Sequence, residues 1–151
     1  DTPLVTASTL SRLAASVDDH TSLAVLGFET ADPTGYGRLV TDSNGGVTRI
    51  VEHRDATADV RCITLVNGGI MAVRCPLLFT WLEQVQANNK NGEIYLTDIV
   101  ELATQAGSKV TCQIADEAEI AGVNDRTDLA RISRLFCRPV YAIARCSREP
   151  H

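Results

Sequence analysis

The sequence contains no apolar run near the roughly 18 residues that a membrane-spanning helix needs, so its pattern does not indicate a membrane protein. No basic segment followed by an apolar stretch opens the chain, and we expect no signal peptide. The three histidines are scattered and no two of the five cysteines have C-x-x-C spacing, which argues against a structural metal site. Thiols without paired spacing suit a reducing compartment, so we expect a cytoplasmic protein.

Basic charge is scarce outside the C-terminal tail. The net charge is −5, from 14 basic and 19 acidic side chains. Residues 131–151 hold five arginines and one acid, so the rest of the chain is strongly acidic. An acidic body disfavours the phosphate neutralisation on which nonspecific nucleic-acid binding depends. We therefore expect no nucleic-acid partner and no membrane partner, and interpret the tail as a solvated segment.

The predicted elements alternate between helix and strand and indicate an α/β fold with a mixed sheet. Residues 22–28 form a continuous apolar run, typical of a strand buried on both faces. Segments 37–42 and 47–52 flank Ser-Asn-Gly-Gly, which predicts a hairpin. The other predictions are a helix capped by Thr6 or Ser8, a loop over 53–59, a strand over 67–73, a helix from Pro76 to about Ala87, a helix over 98–105 capped by Thr97, strands over 109–115 and 119–123, and a helix from Asn124 to about Phe136.

A glycine-rich phosphate loop is missing from the sequence. Doubly wound folds that bind nucleotides normally open with one, yet neither G-x-G-x-x-G nor G-x-x-x-x-G-K-[ST] occurs here. The chain is therefore either a small domain of another kind or part of a larger one.

Five short segments favour the second alternative: DTPL (1–4), PTGYGR (33–38), IVEHRDAT (50–57), GEIYLTD (92–98) and EIAGVNDR (119–126). Up to about Leu135, their order and spacing resemble the uridylyltransferase domain of the bacterial bifunctional N-acetylglucosamine-1-phosphate uridylyltransferases/glucosamine-1-phosphate acetyltransferases. The resemblance implies part of a Rossmann-like, mixed-sheet nucleotidyltransferase domain whose first βα units are missing. Residues 1–136 would be its acceptor-sugar half, and residues 137–151 an unassigned tail.

The resemblance also implies a reaction. A sugar 1-phosphate, here N-acetylglucosamine 1-phosphate, attacks the α-phosphorus of UTP and expels pyrophosphate, with Mg²⁺ as cofactor and UDP-N-acetylglucosamine for cell-wall precursors as product. Such a transfer needs positioning and charge neutralisation more than covalent chemistry. The parent would be a homo-oligomer through a domain absent here. We expect this chain alone to be inactive, because the family's glycine-rich nucleotide loop would lie before Asp1.

Two residues match the family's magnesium ligands, Asp1 and Asn124. A carboxylate and an amide oxygen suit a hard ion that keeps much of its hydration shell. From the residues alone, the better interpretation of Asp1 is a plain terminal carboxylate, and that of Asn124 is a plain helix N-cap. No catalytic side chain beyond metal and substrate positioning is implied.

The match implies a substrate-binding set made of Gly37, Glu52, Asn67, Tyr95, Thr97 and Asn124. Glycine permits close approach of the main chain, a carboxylate accepts hydrogen bonds from sugar hydroxyls, and an asparagine both donates and accepts. The chain departs from the family at Asn67-Gly68-Gly69-Ile70, where Asn-Thr-Gly-Ile is usual. Structural alternatives stay open for Gly37 as a strand start, Glu52 as a solvated acid, Tyr95 as a core ring and Thr97 as a helix cap.

Two other functions stay open. One is a sugar-1-phosphate nucleotidyltransferase with a different base or sugar, and the other is a noncatalytic α/β module that binds a sugar phosphate. Asn67 and the segment 52–57 favour the N-acetylglucosamine branch. His53 follows Glu52 but is interpreted as a surface residue, because the implied reaction needs no histidine.

Overall fold

The structure, a computed structural model, describes residues 2–87, 92–120, 130 and 133. The apolar run forms β1 (Thr21–Glu29), of whose nine residues only the last is exposed. This strand pairs antiparallel with β4 (Leu65–Val73) and parallel with β5 (Lys109–Ile114). A strand with a neighbour on each side and packing on both faces needs apolar side chains at every position. The prediction of a doubly buried strand is confirmed.

The predicted hairpin is confirmed by β2 (Arg38–Thr41) and β3 (Val47–Val51), which pair antiparallel. In its turn, the Asp42 carboxylate accepts hydrogen bonds from the backbone N–H groups of Asn44 and Gly46 at 2.8 and 2.9 Å. Gly45 takes the left-handed conformation, with φ of 81°. Because β2 also pairs with β4, the five strands lie in the order β3-β2-β4-β1-β5. The predicted mixed sheet is confirmed.

Short helices cover both faces of the sheet. They are α1 (Ala7–Ala15), α2 (Ala58–Arg61), α3 (Cys75–Leu82), α4 (Ile99–Gln105) and α5 (Glu117–Ile120), with a 3-10 turn at Leu96–Asp98. On one face, Val25 shares a core with Trp81 of α3 and Val100 of α4. On the other face, Leu26 shares a core with Leu13 of α1. A bilayer-crossing helix is absent from the described part of the chain.

Helix boundaries are where the sequence misleads. α3 keeps Pro76 in its first turn but ends at Leu82, so the predicted extension to Ala87 is wrong. The Gln84 N–H bonds the carbonyl three residues back, at Trp81, which tightens the last turn and closes the helix. The expected loop over 53–59 also contains the start of α2, which is capped by the Thr57 hydroxyl.

The predicted strand over 119–123 is wrong in its described part, because Glu119 and Ile120 belong to α5. Two long-range hydrogen bonds hold this helix: the Thr9 hydroxyl donates to Glu119 Oε2 at 2.5 Å, and the Thr30 hydroxyl donates to Glu117 Oε1 at 2.7 Å. A local sequence pattern carries no trace of such contacts. Residues 121–129 lie outside the described part of the chain.

Candidate functional site

The main chain at Gly37 connects the strands that carry the candidate site. Its carbonyl accepts a hydrogen bond from the Asn67 N–H at 2.8 Å, which joins the start of β2 to β4. A Cβ added to Gly37 would lie 3.0 Å from Ile50 Cγ2 and 3.3 Å from Glu52 Oε1. Because glycine has no side chain, the Glu52 carboxylate can lie close to the main chain at Gly37. Its predicted role in approach to a substrate stays a prediction.

Glu52 follows β3 and is oriented by Thr97, 45 residues away in the sequence. The Thr97 hydroxyl donates to Glu52 Oε1 at 3.1 Å. The prediction that Thr97 caps the next helix is wrong: α4 begins at Ile99, its N-cap is Asp98, and no side chain makes a capping bond there. Thr97 instead lies in the 3-10 turn, where its hydroxyl is directed to the carboxylate.

Negative charge accumulates beside this pair. Burial raises the pKa of the Asp98 carboxyl above its usual 3.8, and the charges of Glu101, Glu52 and Asp55 raise it further. Glu52 and Glu93 line a cavity, where their carboxylates offer acceptors to which hydroxyl groups can donate.

Asn67 lies at one end of a bulge in β4, where it pairs with Gly27 of β1. Between Val25 and Gly27 the paired strand advances from Met71 to Asn67, so β4 contains two extra residues. Within this bulge Asn67 Oδ1 accepts from the Gly69 N–H at 3.0 Å. The amide nitrogen, Nδ2, has no hydrogen-bond partner among the described residues, so Asn67 presents a donor.

The departure from the family sequence, Gly68, has a structural reason in the same bulge. A Cβ at Gly68 would lie 2.9 Å from the Leu26 carbonyl oxygen and 3.1 Å from Ile120 Cγ2. Distances below about 3 Å to a backbone atom demand a shift of the chain. In this chain, glycine at 68 allows β4 to approach β1 and α5 closely.

An open cavity of about 500 Å³ adjoins Glu52; its lining residues are Gly35, Glu52, His53, Arg54, Glu93 and Tyr95. Tyr95 is half-buried and lies at the cavity, not in either core. Hydrogen bonds join Asn67 to Gly37 and Thr97 to Glu52. The Glu52 carboxylate lies over the space that a Gly37 side chain would fill, and Tyr95 lines the same cavity as Glu52. A volume of this size falls in the usual range for small-molecule sites.

His53 and Arg38 were missed as site residues by sequence reasoning. His53, interpreted as a surface residue, is half-buried and lines the cavity. Its Nδ1 lies 3.3 Å from an Arg38 guanidinium nitrogen. Arg38 is 1% exposed, and no sequence pattern signals the burial of an arginine in a strand. The position of His53 directly after Glu52 was the available signal.

The predicted magnesium ligands, Asp1 and Asn124, both lie outside the described residues. Within residues 2–87 and 92–120, no group of three or more histidine, cysteine or acidic side chains is arranged to hold a metal ion.

Several bacterial proteins named bifunctional protein GlmU are similar to this chain. The Maricaulis maris protein is 46% identical over 136 residues, which cover 90% of this chain and 30% of that protein. The Gluconobacter oxydans protein is 51% identical over 131 residues, or 87% of this chain and 29% of that protein. The chain thus spans about 30% of the length of these relatives. No family model matches it. The resemblance predicted from the five segments is confirmed.

Two solved structures share the fold. A CMP:2-keto-3-deoxy-manno-octonic acid synthetase complexed with CTP gives a TM-score of 0.61 over 92% of this chain and 59% of its own, at 14% identity. A Bacillus anthracis protein assigned as a glucose-1-phosphate thymidylyltransferase, in complex with sucrose, gives 0.52 over 76% and 43%, at 18% identity. The predicted fold class, the mixed-sheet α/β fold of nucleotidyltransferases, is confirmed.

Proposed function

We propose that residues 1–136 form the acceptor-sugar half of a sugar nucleotidyltransferase domain, followed by an unassigned tail over 137–151. The parent protein would transfer the uridylyl group of UTP to N-acetylglucosamine 1-phosphate: a phosphate oxygen of the sugar bonds to the α-phosphorus, and pyrophosphate leaves. The similarity to GlmU proteins supports this reaction. By the same resemblance, the product would serve cell-wall precursor synthesis in the cytoplasm, and a domain absent here would join the parent into a homo-oligomer.

The observation that carries the proposal is the oriented carboxylate of Glu52. Thr97 fixes Oε1, while Oε2 accepts no hydrogen bond from the described residues. A carboxylate with an unused oxygen at a cavity is suited to accept from a sugar hydroxyl, because a charged acceptor forms a stronger hydrogen bond than a neutral one. The unpartnered amide nitrogen of Asn67 complements it as a donor to a hydroxyl or acetamido oxygen.

Magnesium would be held by Asp1 and Asn124, whose carboxylate and amide oxygens are ligands that this ion accepts along with water and phosphate oxygens. When bound, the ion would neutralise the charge that builds up on the phosphates. The residues of the cavity have a separate task, which is to bind the sugar and orient its phosphate.

A binding experiment on the purified chain tests the sugar site. Calorimetric titration with N-acetylglucosamine 1-phosphate, glucose 1-phosphate and UTP is expected to show the first ligand binding most tightly. Glu52→Gln should weaken that binding roughly tenfold to a hundredfold, the range for a charged hydrogen bond of about 1.5–3 kcal/mol.

The matched control is Glu29→Gln, the same chemical change at the exposed end of β1. It should leave the affinity unchanged. Tighter binding of UTP than of either sugar phosphate would overturn the assignment to the sugar. Equal affinity for glucose 1-phosphate would favour a nucleotidyltransferase of different sugar specificity.

A further inference from the structure

We infer that His53 is a further substrate-contacting residue, which donates a hydrogen bond from Nε2 to an oxygen of the bound sugar phosphate. Arg38 acts as a positioning residue that fixes the imidazole in the required tautomer. The inference rests on the proposed function, because it adds a residue to the same cavity. It concerns ligand recognition in the binding step and adds no covalent step.

The tautomer follows from the donor that faces the ring. An arginine guanidinium has only N–H donors and no acceptor. The Nδ1 atom of His53, 3.3 Å from the Arg38 nitrogen, must therefore accept, and the single proton of the neutral imidazole lies on Nε2. The second terminal nitrogen of Arg38 donates to the Tyr36 carbonyl, which prevents the guanidinium from turning away.

The Nε2–H group has no hydrogen-bond partner among the residues that the structure describes. Among the described residues, the Arg38 contact is the one hydrogen bond made by His53. The His53 ring nevertheless lines the cavity beside Glu52. The ionised Glu52 carboxylate can only accept hydrogen bonds. An acceptor and a donor at consecutive residues match the two properties of sugar hydroxyls, which both donate and accept hydrogen bonds. A phosphate oxygen would satisfy the donor equally well.

The burial of the Arg38 side chain destabilises the fold, and its contacts within the fold do not offset this cost. Its side chain is 1% exposed. Within the described part of the chain, its Nε atom has no hydrogen-bond partner and no carboxylate forms an ion pair with it. The charge of the Asp32 carboxylate acts on Arg38 without direct ion-pair contact, so the buried cation loses hydration and recovers only part of it. An apolar side chain of similar length would pack there with less penalty. The arrangement is consistent with selection for orienting His53.

The test combines nitrogen NMR with binding. Long-range ¹H–¹⁵N spectra at pH about 8, where an ordinary imidazole is neutral, should show His53 protonated at Nε2, with its signals identified by their loss in His53→Gln. Arg38→Met should move the ring towards a mixture of tautomers. A proton on Nδ1 in the unsubstituted chain would overturn the inference.

Titration with N-acetylglucosamine 1-phosphate should shift the Nε2 signal. Parallel titrations with free N-acetylglucosamine and inorganic phosphate identify whether a hydroxyl or a phosphate oxygen is the acceptor. His53→Ala should weaken the sugar phosphate roughly threefold to tenfold, the range for a neutral hydrogen bond, and His53→Gln should recover most of that loss. His20→Ala, at an exposed histidine before β1, is the matched control and should change nothing.

The two proposals fail in different ways. If the sugar phosphate binds with shifts at Glu52 and Thr97 but none at His53, or if His53→Ala binds normally, the role of His53 is wrong and the proposed function stands. If the sugar phosphate does not bind at all, the proposed function is wrong and the ligand role of His53 falls with it.

Discussion

At the residue scale, Asp98 shows how charge and stability are linked. Burial raises the pKa of its carboxyl in the folded chain, and Glu101, Glu52 and Asp55 add to the rise. The folded state therefore favours the protonated acid more than the unfolded state does. Ionised Asp98 destabilises the fold above its folded pKa, and this penalty vanishes below the unfolded value of about 3.8, where the group is protonated in both states.

Asp98→Asn should consequently raise the melting temperature at pH 7 and lose its advantage as the pH falls below about 3.8. The gain should not exceed about 1 kcal/mol, because solvent screens a partly exposed charge. Thermal unfolding, followed by circular dichroism at pH 7 and at a pH below about 3.8, measures the difference in melting temperature. Asp19→Asn, at a side chain 94% exposed, is the control and should change little. A gain of equal size at both pH values would contradict the charge argument.

Cys112 provides a second residue-scale prediction. Burial raises the pKa of its thiol to about 11, so at neutral pH it is almost entirely in the unreactive protonated form. Cys62 and Cys75 are exposed. A short pulse of N-ethylmaleimide at pH 7 followed by peptide mass spectrometry should label Cys62 and Cys75 and leave Cys112 unmodified. Labelling in urea is the control and should reach all three. Native labelling of Cys112 at the rate of Cys62 would contradict its burial.

At the element scale, a strand could be predicted where an apolar run or a turn motif within a few residues marks it. The apolar run of β1 and the Asn-Gly turn between β2 and β3 both carry their signal within a few residues. The bulge in β4 does not, because it depends on how Gly68 meets Leu26 of another strand. The short helix α5 was mistaken for a strand for the same reason, since threonines far away in the sequence hold its glutamates.

The close approach at the bulge predicts a substitution effect. Gly68→Ala should destabilise the chain by about 1–3 kcal/mol, because the new Cβ meets a backbone oxygen that cannot move independently. Urea unfolding measures the change. Gly46→Ala is the matched control: its Cβ would meet the Asp42 carboxylate, which can shift by side-chain rotation without moving the backbone, and the cost should be smaller. Equal costs at the two glycines would show that the bulge relaxes freely.

At the scale of the whole molecule, the sheet order explains why distant segments form one site. β2 lies between β3 and β4, so Gly37 before β2 meets both Glu52 after β3 and Asn67 in β4. The resemblance supplied these residues without their contacts. The hydrogen bond from Thr97 to Glu52 and the burial of Arg38 beneath His53 arise only when the chain is folded, so no pattern in the sequence could have predicted them.

The same view of the molecule gives a prediction about turnover. The 151 residues contain no glycine-rich phosphate-binding loop, and the body of the chain carries an excess of acids. Transfer to the α-phosphorus of UTP requires cationic or N–H groups around the triphosphate, because the transition state spreads negative charge over the phosphate oxygens. We therefore expect the purified chain, with UTP, N-acetylglucosamine 1-phosphate and Mg²⁺, to bind the sugar phosphate but to release no pyrophosphate.

A coupled pyrophosphatase assay measures this, with an active uridylyltransferase as positive control and Glu52→Gln as the variant that distinguishes real from contaminating activity. Pyrophosphate release that requires the sugar phosphate and disappears in Glu52→Gln would mean that the chain neutralises the triphosphate with its own residues. The five arginines in residues 131–151 would then be the first cations to substitute, because basic residues are concentrated in this segment. Release that persists in Glu52→Gln would instead be assigned to a contaminant, and the prediction of an inactive chain would stand.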